Sequence, residues 1–142
     1  MTRSTMEIRL RKTPEEVWAL VTDLGRWDWR SDLDRIEVTG ADTFVEVTKD
    51  GFETAFTVTA AEPPARWAFD MDNENMRGRW SGSFTKTAEG VRLVFTEDVE
   101  AKKWWMRPFV KGYLKKQQAQ YAADLRRALG EQRGGLFESG AS

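Results

Sequence analysis

The sequence predicts an α+β domain in which a long C-terminal helix covers an antiparallel sheet of about seven strands. The first indication is residues 103–129, where apolar side chains recur at steps of three and four, the period of one helix face. The second is the part before residue 100, where apolar and polar residues mostly alternate, as they do in strands. The third is the short links between these strands, which favour antiparallel hairpins. Such a sheet has an apolar face, and the terminal helix is long enough to cover it.

The chain begins with a predicted strand over residues 4–11, followed by a short helix. Thr13 is the expected N-cap, Pro14 takes the first helical position, and Glu16 completes a capping box. Residues 27–30 follow as a second short helix or a loop. We therefore expect two short helices after the first strand.

Six further strands are predicted from alternating apolar residues and from turn signals between them. Asp50-Gly51 indicates a tight hairpin, because this pair readily adopts the positive backbone dihedrals that such turns require. Pro63-Pro64 is expected to stop a strand. The predicted strands cover residues 36–38, 44–49, 52–60, 67–72, 76–87 and 91–99.

The C-terminal helix is predicted to span about 25 residues, which at 1.5 Å per residue is roughly 37 Å, the width of a whole sheet. We expect one domain over residues 1–130 and a flexible tail over residues 131–142, which are rich in glycine and serine. The predicted apolar face of the helix consists of Met106, Val110, Tyr113, Leu114, Gln117, Tyr121, Leu125 and Ala128.

The composition excludes several chemistries. The chain has no His and no Cys, which removes Ser-His-Asp and Cys-His catalysis and Cys/His zinc sites. No glycine-rich phosphate loop is present, and we expect no metal and no other cofactor. The sequence contains no apolar run of membrane-spanning length and no signal-peptide core, so a cytoplasmic location is expected.

The charge is unevenly distributed along the chain. Residues 102–133 contain nine basic side chains against Asp124 and Glu131, a net charge of +7 in a chain whose total is −1. One interpretation is an ordinary solvated helix face. The other is a docking face for anionic lipid or a nucleic-acid backbone.

Several segments resemble the START-type, polyketide cyclase/dehydrase and lipid-transport superfamily, also called SRPBCC proteins. They are TPEEVWALVTDLGRWDW, FTVTAAEPPARWAF, WSGSFTKTAEGVRLVFTEDVE and the terminal helix. The resemblance covers residues 4–129 and implies a helix-grip fold, in which a curved sheet wraps around the long helix. It also implies a hydrophobic ligand, since members bind lipids, sterols, quinones, polyketides or plant hormones, and some are cyclases. The hairpin at residues 49–52 departs from the plant pathogenesis-related branch, which argues against that branch's ligands.

A helix held above a curved sheet leaves a gap, and the resemblance implies that apolar side chains from both walls line it. Each of these aromatic residues could instead be simple core. Trp27 and Trp29 are expected at the entrance. The other predicted ligand-binding residues are Phe56, Trp67, Phe69, Trp80, Leu93 and Phe95 from the strands and Met106, Val110, Tyr113, Gln117 and Tyr121 from the helix.

Two polar residues share predicted apolar faces. Gln117 lies in the helix stripe, where its amide either satisfies a structural hydrogen bond or orients a ligand. Glu97 follows Leu93 and Phe95, so its carboxylate either points inward with a raised pKa, as an acid or base needs, or forms a rim pair with Lys102.

Three functions follow as hypotheses. The first is a binding protein for a small hydrophobic molecule of the lipid, quinone or polyketide type, with no catalytic residue. The second is a polyketide cyclase or dehydratase with Glu97 as acid and base. The third is a co-chaperone-like interaction module that uses the basic helix face. No nucleic acid is expected as a partner, and a monomer and a homodimer are both compatible with the sequence.

Overall fold

The computed structural model describes residues 1–130 and shows the expected α+β architecture. Seven strands, one short helix and one long helix follow each other along the chain. The elements are β1 (Thr2–Leu10), α1 (Pro14–Thr22), β2 (Leu33–Val38), β3 (Thr43–Thr48), β4 (Glu53–Glu62), β5 (Arg66–Asp72), β6 (Met76–Lys86), β7 (Val91–Ala101), a 3-10 segment (Trp104–Phe109) and α2 (Val110–Ala128). The tail predicted for residues 131–142 lies outside the described residues.

The seven strands form one open antiparallel sheet in the order β1-β7-β6-β5-β4-β3-β2. The first strand therefore lies at one edge and pairs with the last strand, with Thr2 opposite Val99 and Leu10 opposite Val91. The predicted Asp50-Gly51 hairpin joins β3 to β4, and Gly51 has the positive φ of 87° that such a turn requires. Both edges, β1 and β2, belong to the N-terminal part of the chain.

The capping box is confirmed, but only one short helix follows β1. Thr13 Oγ1 accepts a hydrogen bond from Glu16 N at 3.1 Å, and Glu16 Oε1 accepts one from Thr13 N at 3.0 Å. The second helix expected at residues 27–30 does not form. Residues 23–32 instead contain isolated turns, because the Asp23 side chain takes the amide of Gly25 at 3.0 Å and the backbone leaves the helical path there.

The C-terminal helix is present, with a tighter first part than predicted. Residues 104–109 form a 3-10 segment, and the α-helix proper begins at Val110. Pro108 explains the difference: it has no amide hydrogen to donate, and its ring disfavours α-helical geometry at the residue before it. No helix within residues 1–130 combines the length and apolar character needed to span a membrane.

The buried stripe of α2 is rotated relative to the prediction. Gln117 is exposed, and Tyr113 keeps 42% of its surface accessible. The residue buried in mid-helix is Gln118, at 4% exposure, between Leu114 and Leu125. Periodicity alone could not choose between neighbouring glutamines, because the choice depends on a partner from β1: Ser4 Oγ donates to Gln118 Oε1 at 2.9 Å.

Three basic side chains of α2 contact the edge strand β1. They donate to its outward carbonyl groups: Lys111 to Arg3 O at 2.6 Å, Lys115 to Thr5 O at 3.0 Å and Arg126 to Arg9 O at 3.2 Å. These bonds cover an edge that could otherwise pair with another strand. This part of the basic face therefore has an internal role, and the predicted protein-interaction function is untested.

Candidate functional site

A cavity of about 390 Å³ lies between the sheet, α2 and the 23–32 segment. Its volume falls in the range of small-molecule sites, roughly 300–1,000 Å³. Strands β2 to β7 supply one wall, and α2 supplies the opposite wall. The 23–32 segment closes one side, so the loop that replaces the expected second helix belongs to the site.

Most of the predicted ligand-binding residues lie on this cavity, although their role in binding stays a prediction. Leu93, Met106 and Val110 are elsewhere. Leu93 is fully buried in the main core, and the other two pack in a separate cluster with Val99 and Ala101. The predicted residues that line the cavity are Trp27, Trp29, Phe56, Trp67, Phe69, Trp80, Phe95, Tyr113, Gln117 and Tyr121.

Aromatic rings form a continuous wall across the strands. Phe44, which the sequence analysis missed, stacks on Phe56 with centroids 4.8 Å apart and rings inclined by 7°. Phe69 stacks on Trp80 in the same way, at 4.8 Å and 2°. Both pairs are directly opposite each other on neighbouring strands, as cross-strand stacking requires. The alternation of β3 contained the signal for Phe44, since this residue starts the inward-facing set of that strand.

Gly82 explains how the Trp80 ring fits against the sheet. A Cβ at position 82 would lie 2.7 Å from the Trp80 ring and 3.3 Å from Phe95. Because Gly82 has no side chain, the Trp80 indole can lie over β6 at this position. Trp80 continues the wall to Phe95 at 4.9 Å, and Phe95 contacts Tyr121 of α2 at 5.2 Å.

A partly buried ionic cluster lies at the helix end of this wall and was not predicted. Arg30 forms ion pairs with Asp32 at 3.1 Å and Glu46 at 3.3 Å. Its guanidinium carbon is 5.1 Å from the Tyr121 ring centroid and 6.0 Å from that of Trp29, within cation–π range. Burial lowers the pKa of Arg30, but the two carboxylates outweigh that effect and hold the pKa above its ordinary value.

Of the two alternatives for Glu97, an inward carboxylate or a rim pair with Lys102, the structure shows the inward carboxylate. It lines the cavity with 7% of its surface exposed, and Lys102 pairs instead with Asp72. Desolvation raises the pKa of Glu97 to about 7, although the Gln118 hydrogen bond and the Arg30 charge act in the opposite direction. Gln118 Nε2 donates to Glu97 Oε1 at 3.2 Å. Glu97 is thus held in place while its proton equilibrium lies near neutral pH.

The buried glutamine of α2 is Gln118 and not Gln117, for which a buried amide was predicted. Gln117 Nε2 donates to the Tyr113 hydroxyl at 2.8 Å on the helix wall, whereas Gln118 connects Ser4 to Glu97. A position one residue further along the helix turns the side chain by about 100°. Only the contact with β1 shows which glutamine is buried.

Asp124 fixes the 23–32 segment to α2. It is fully buried, and its carboxylate accepts hydrogen bonds from Ser31 N and Ser31 Oγ, both at 2.9 Å, and from Arg127 at 2.7 Å. Burial raises the pKa of Asp124, but these hydrogen bonds outweigh it and hold the pKa below its ordinary value. The contact places Trp29 and Arg30 against the cavity. Across residues 1–130, no group of three or more acidic side chains is arranged to hold a metal ion.

The fold and the cavity together define a helix-grip protein with an internal space of about 390 Å³. The sequence profile of the family described as "Polyketide cyclase / dehydrase and lipid transport" matches residues 1–130, and the chain belongs to this family. A search of curated protein sequences found no significant match.

Solved structures share the fold at low sequence identity. A START superfamily protein from Mycobacterium smegmatis has a TM-score of 0.81 and 12% identity, over 89% of this chain and 95% of its own. A protein from Mesorhizobium loti has a TM-score of 0.76 and 17% identity, over 91% and 97%. The di-domain ARO/CYC BexL has a TM-score of 0.72 and 14% identity, over 89% of this chain and 49% of BexL. These similarities show the fold alone.

Proposed function

We propose that this protein binds a small hydrophobic molecule with an aromatic or otherwise planar body in the cavity beneath α2. The observation that carries the proposal is the 390 Å³ space, which has an aromatic wall on the sheet side and fixed polar groups such as Glu97 and Arg30 on its lining. Each 100 Å² of apolar ligand surface removed from water contributes about 2.5 kcal/mol. The aromatic wall therefore supplies affinity, and the polar groups select the orientation.

The fixed polar groups Glu97 and Arg30 on the cavity lining define the ligand group that it can accept. When Glu97 is protonated, its hydroxyl donates a hydrogen bond to a carbonyl or hydroxyl oxygen of the ligand. Arg30 is already paired with Asp32 and Glu46, a group whose net charge is −1, so it offers no free fork for a carboxylate. A neutral ligand with one or two oxygen atoms, of the quinone or polyketide type, fits this chemistry better than a fatty acid.

Native mass spectrometry and thermal shifts across quinones, aromatic polyketides and fatty acids test this proposal. We expect a neutral aromatic compound to bind and to raise the melting temperature. Trp29→Ala, at the cavity, should then weaken binding at least tenfold. Trp105→Ala removes the same side chain from an exposed position outside the cavity, so it is the matched control. Equal effects of the two variants would show that binding occurs elsewhere.

A second candidate function is a cyclase or dehydratase in which Glu97 moves protons. The favouring observation is its buried position on the cavity wall with a pKa of about 7. In a dehydration, the Glu97 carboxylate takes the proton from the carbon next to a ketone. The carboxylic acid then returns it to the β-hydroxyl, which leaves as water while the carbon–carbon double bond forms. Such proton transfer typically contributes 10²–10⁴-fold in rate.

Glu97→Gln separates binding from catalysis. The amide oxygen can still accept the hydrogen bond from Gln118, so ligand affinity should change only a few-fold. Water loss from a β-hydroxyketone model substrate, followed by mass spectrometry, should fall at least a hundredfold. Unchanged turnover in this variant would remove the enzymatic proposal and leave the binding proposal intact.

A further inference from the structure

An exposed group of aromatic side chains lies just before α2. Trp104 is 76% exposed, Trp105 is 55% exposed and Phe109 is 69% exposed, and no residue of this 3-10 segment is buried. The segment is about 10 Å long at 2.0 Å per residue, so three large apolar side chains project from a small area. Single exposed apolar residues are ordinary, whereas a cluster of this kind indicates an interaction surface.

The charged residues next to these rings in the sequence are basic. Arg107 lies between them, and Lys102 and Lys103 directly precede them. Lys102 pairs with Asp72 and Lys103 donates to Asn75, but the sequence has no acidic residue from 101 to 123. We call Trp104, Trp105, Arg107 and Phe109 the aromatic–basic patch.

The patch lies beside the cavity. Met106, within the same segment, packs against the cluster of Val99, Val110 and Leu114. Met71 and Met76 pack on that cluster too, and both of them line the cavity. A surface that binds at the patch is therefore close to the space proposed for the ligand.

We propose that the aromatic–basic patch docks on an anionic lipid membrane surface. Tryptophan is favoured at the boundary between head groups and acyl chains, because its ring is apolar and its N–H remains near water. Basic side chains beside it are attracted to anionic head groups. A second copy of the chain fits less well, since it would bring two positive patches together. This inference goes beyond the proposed function and does not depend on a ligand in the cavity.

Co-sedimentation with vesicles tests the proposal. We expect the full chain to bind vesicles of phosphatidylcholine mixed with phosphatidylglycerol, and to bind pure phosphatidylcholine more weakly. Trp104→Ser/Trp105→Ser/Phe109→Ser should lower binding to the mixed vesicles at least tenfold. One basic charge at an anionic membrane surface changes the binding constant about fivefold. Arg107→Glu changes the charge by two, so it should lower binding roughly 25-fold.

A control and a second measurement keep the result specific. Val38→Ser removes an apolar side chain that is 63% exposed on the edge strand β2, and it should leave vesicle binding unchanged. Tryptophan emission should shift to the blue on adding mixed vesicles and stay unshifted in the triple variant, whose fold is checked by circular dichroism. The proposal is overturned if the wild type does not bind mixed vesicles, or if the patch variants bind as well as it does. It is also overturned if the triple substitution only dissociates a dimer, as seen by sedimentation velocity.

Discussion

The two helices cover the same sheet in different ways. Beneath α1 the space is filled: Val17, Val91 and Leu93 have no accessible surface, and Trp18 contacts Phe84 at 5.5 Å. Beneath α2 a 390 Å³ space remains, although the helix is twice as long. Strand β7 runs through both regions with a single inward face. The difference shows that the cavity results from where the helix stands and not from a lack of apolar side chains.

The polar groups help to explain why α2 stands away from the sheet. Gln118 is bonded to Ser4 of β1, and Asp124 is bonded to Ser31 of the 23–32 segment. Both contacts hold the helix by its flank. Apolar packing alone would draw it towards the sheet and close the gap. The polar anchors fix the position of α2 relative to β1 and to the 23–32 segment.

The largest expected effect is in the filled region. Leu93→Ala removes a side chain that is completely buried, in a place where the neighbours cannot relax into existing space. We expect a loss of about 2–5 kcal/mol in the free energy of unfolding, measured by urea titration. A loss below about 1 kcal/mol would mean that this region is not tightly packed.

Glu97→Gln should change how stability depends on pH. The pKa of Glu97 in the folded protein is about 7, above the 4.5 of an ordinary glutamate, so the folded state holds the proton more tightly. The contribution of protonated Glu97 to the free energy of unfolding is fully present below pH 4.5 and is lost as the pH rises through 7. The substitution should therefore raise stability above pH 7 by up to about 3 kcal/mol relative to wild type.

Urea titrations from pH 4 to pH 8 measure this dependence. The matched control is Glu100→Gln, because Glu100 is exposed on the opposite side of the same strand. Its pH profile should follow that of the wild type. Identical profiles for wild type and Glu97→Gln would show that Glu97 is solvated in solution.

Asp124→Asn tests the contact that holds the cavity segment. One carboxylate oxygen becomes an amide group that cannot accept a hydrogen bond, so a donor among Ser31, Gln120 and Arg127 loses its partner. We expect a loss of about 1–3 kcal/mol in the free energy of unfolding. Ligand affinity should fall as well, because this segment carries Trp29 and Arg30. A loss of stability without any change in ligand affinity would show that residues 23–32 do not contribute to ligand binding.

The smallest effect is expected at the cavity wall. Ile36 lines the cavity and is only partly buried, so Ile36→Ala enlarges a space that already exists. We expect a loss of about 1 kcal/mol in the free energy of unfolding. This is roughly half the water-to-apolar transfer free energy of the methyl and methylene groups that the substitution removes. The same urea titration used for Leu93→Ala measures it. A loss as large as that of Leu93→Ala would show that the two regions are equally packed.

Local sequence patterns predicted the succession of the strands along the chain, the capped α1, the Asp50-Gly51 hairpin and the presence of a long C-terminal helix. These features depend on neighbours within a few residues, through periodicity, capping and turn chemistry. The aromatic wall was also largely predictable, because strand alternation tells which side chains share a face.

Which polar groups reach the cavity depends on tertiary contacts. Gln118 rather than Gln117 is buried because Ser4, more than a hundred residues away, binds it. Arg30 enters the site because residues 23–32 do not form a helix, and Asp124 holds that segment across a similar distance in sequence. The rotation of a helix and the path of a loop are set by such long-range partners, which no local pattern contains.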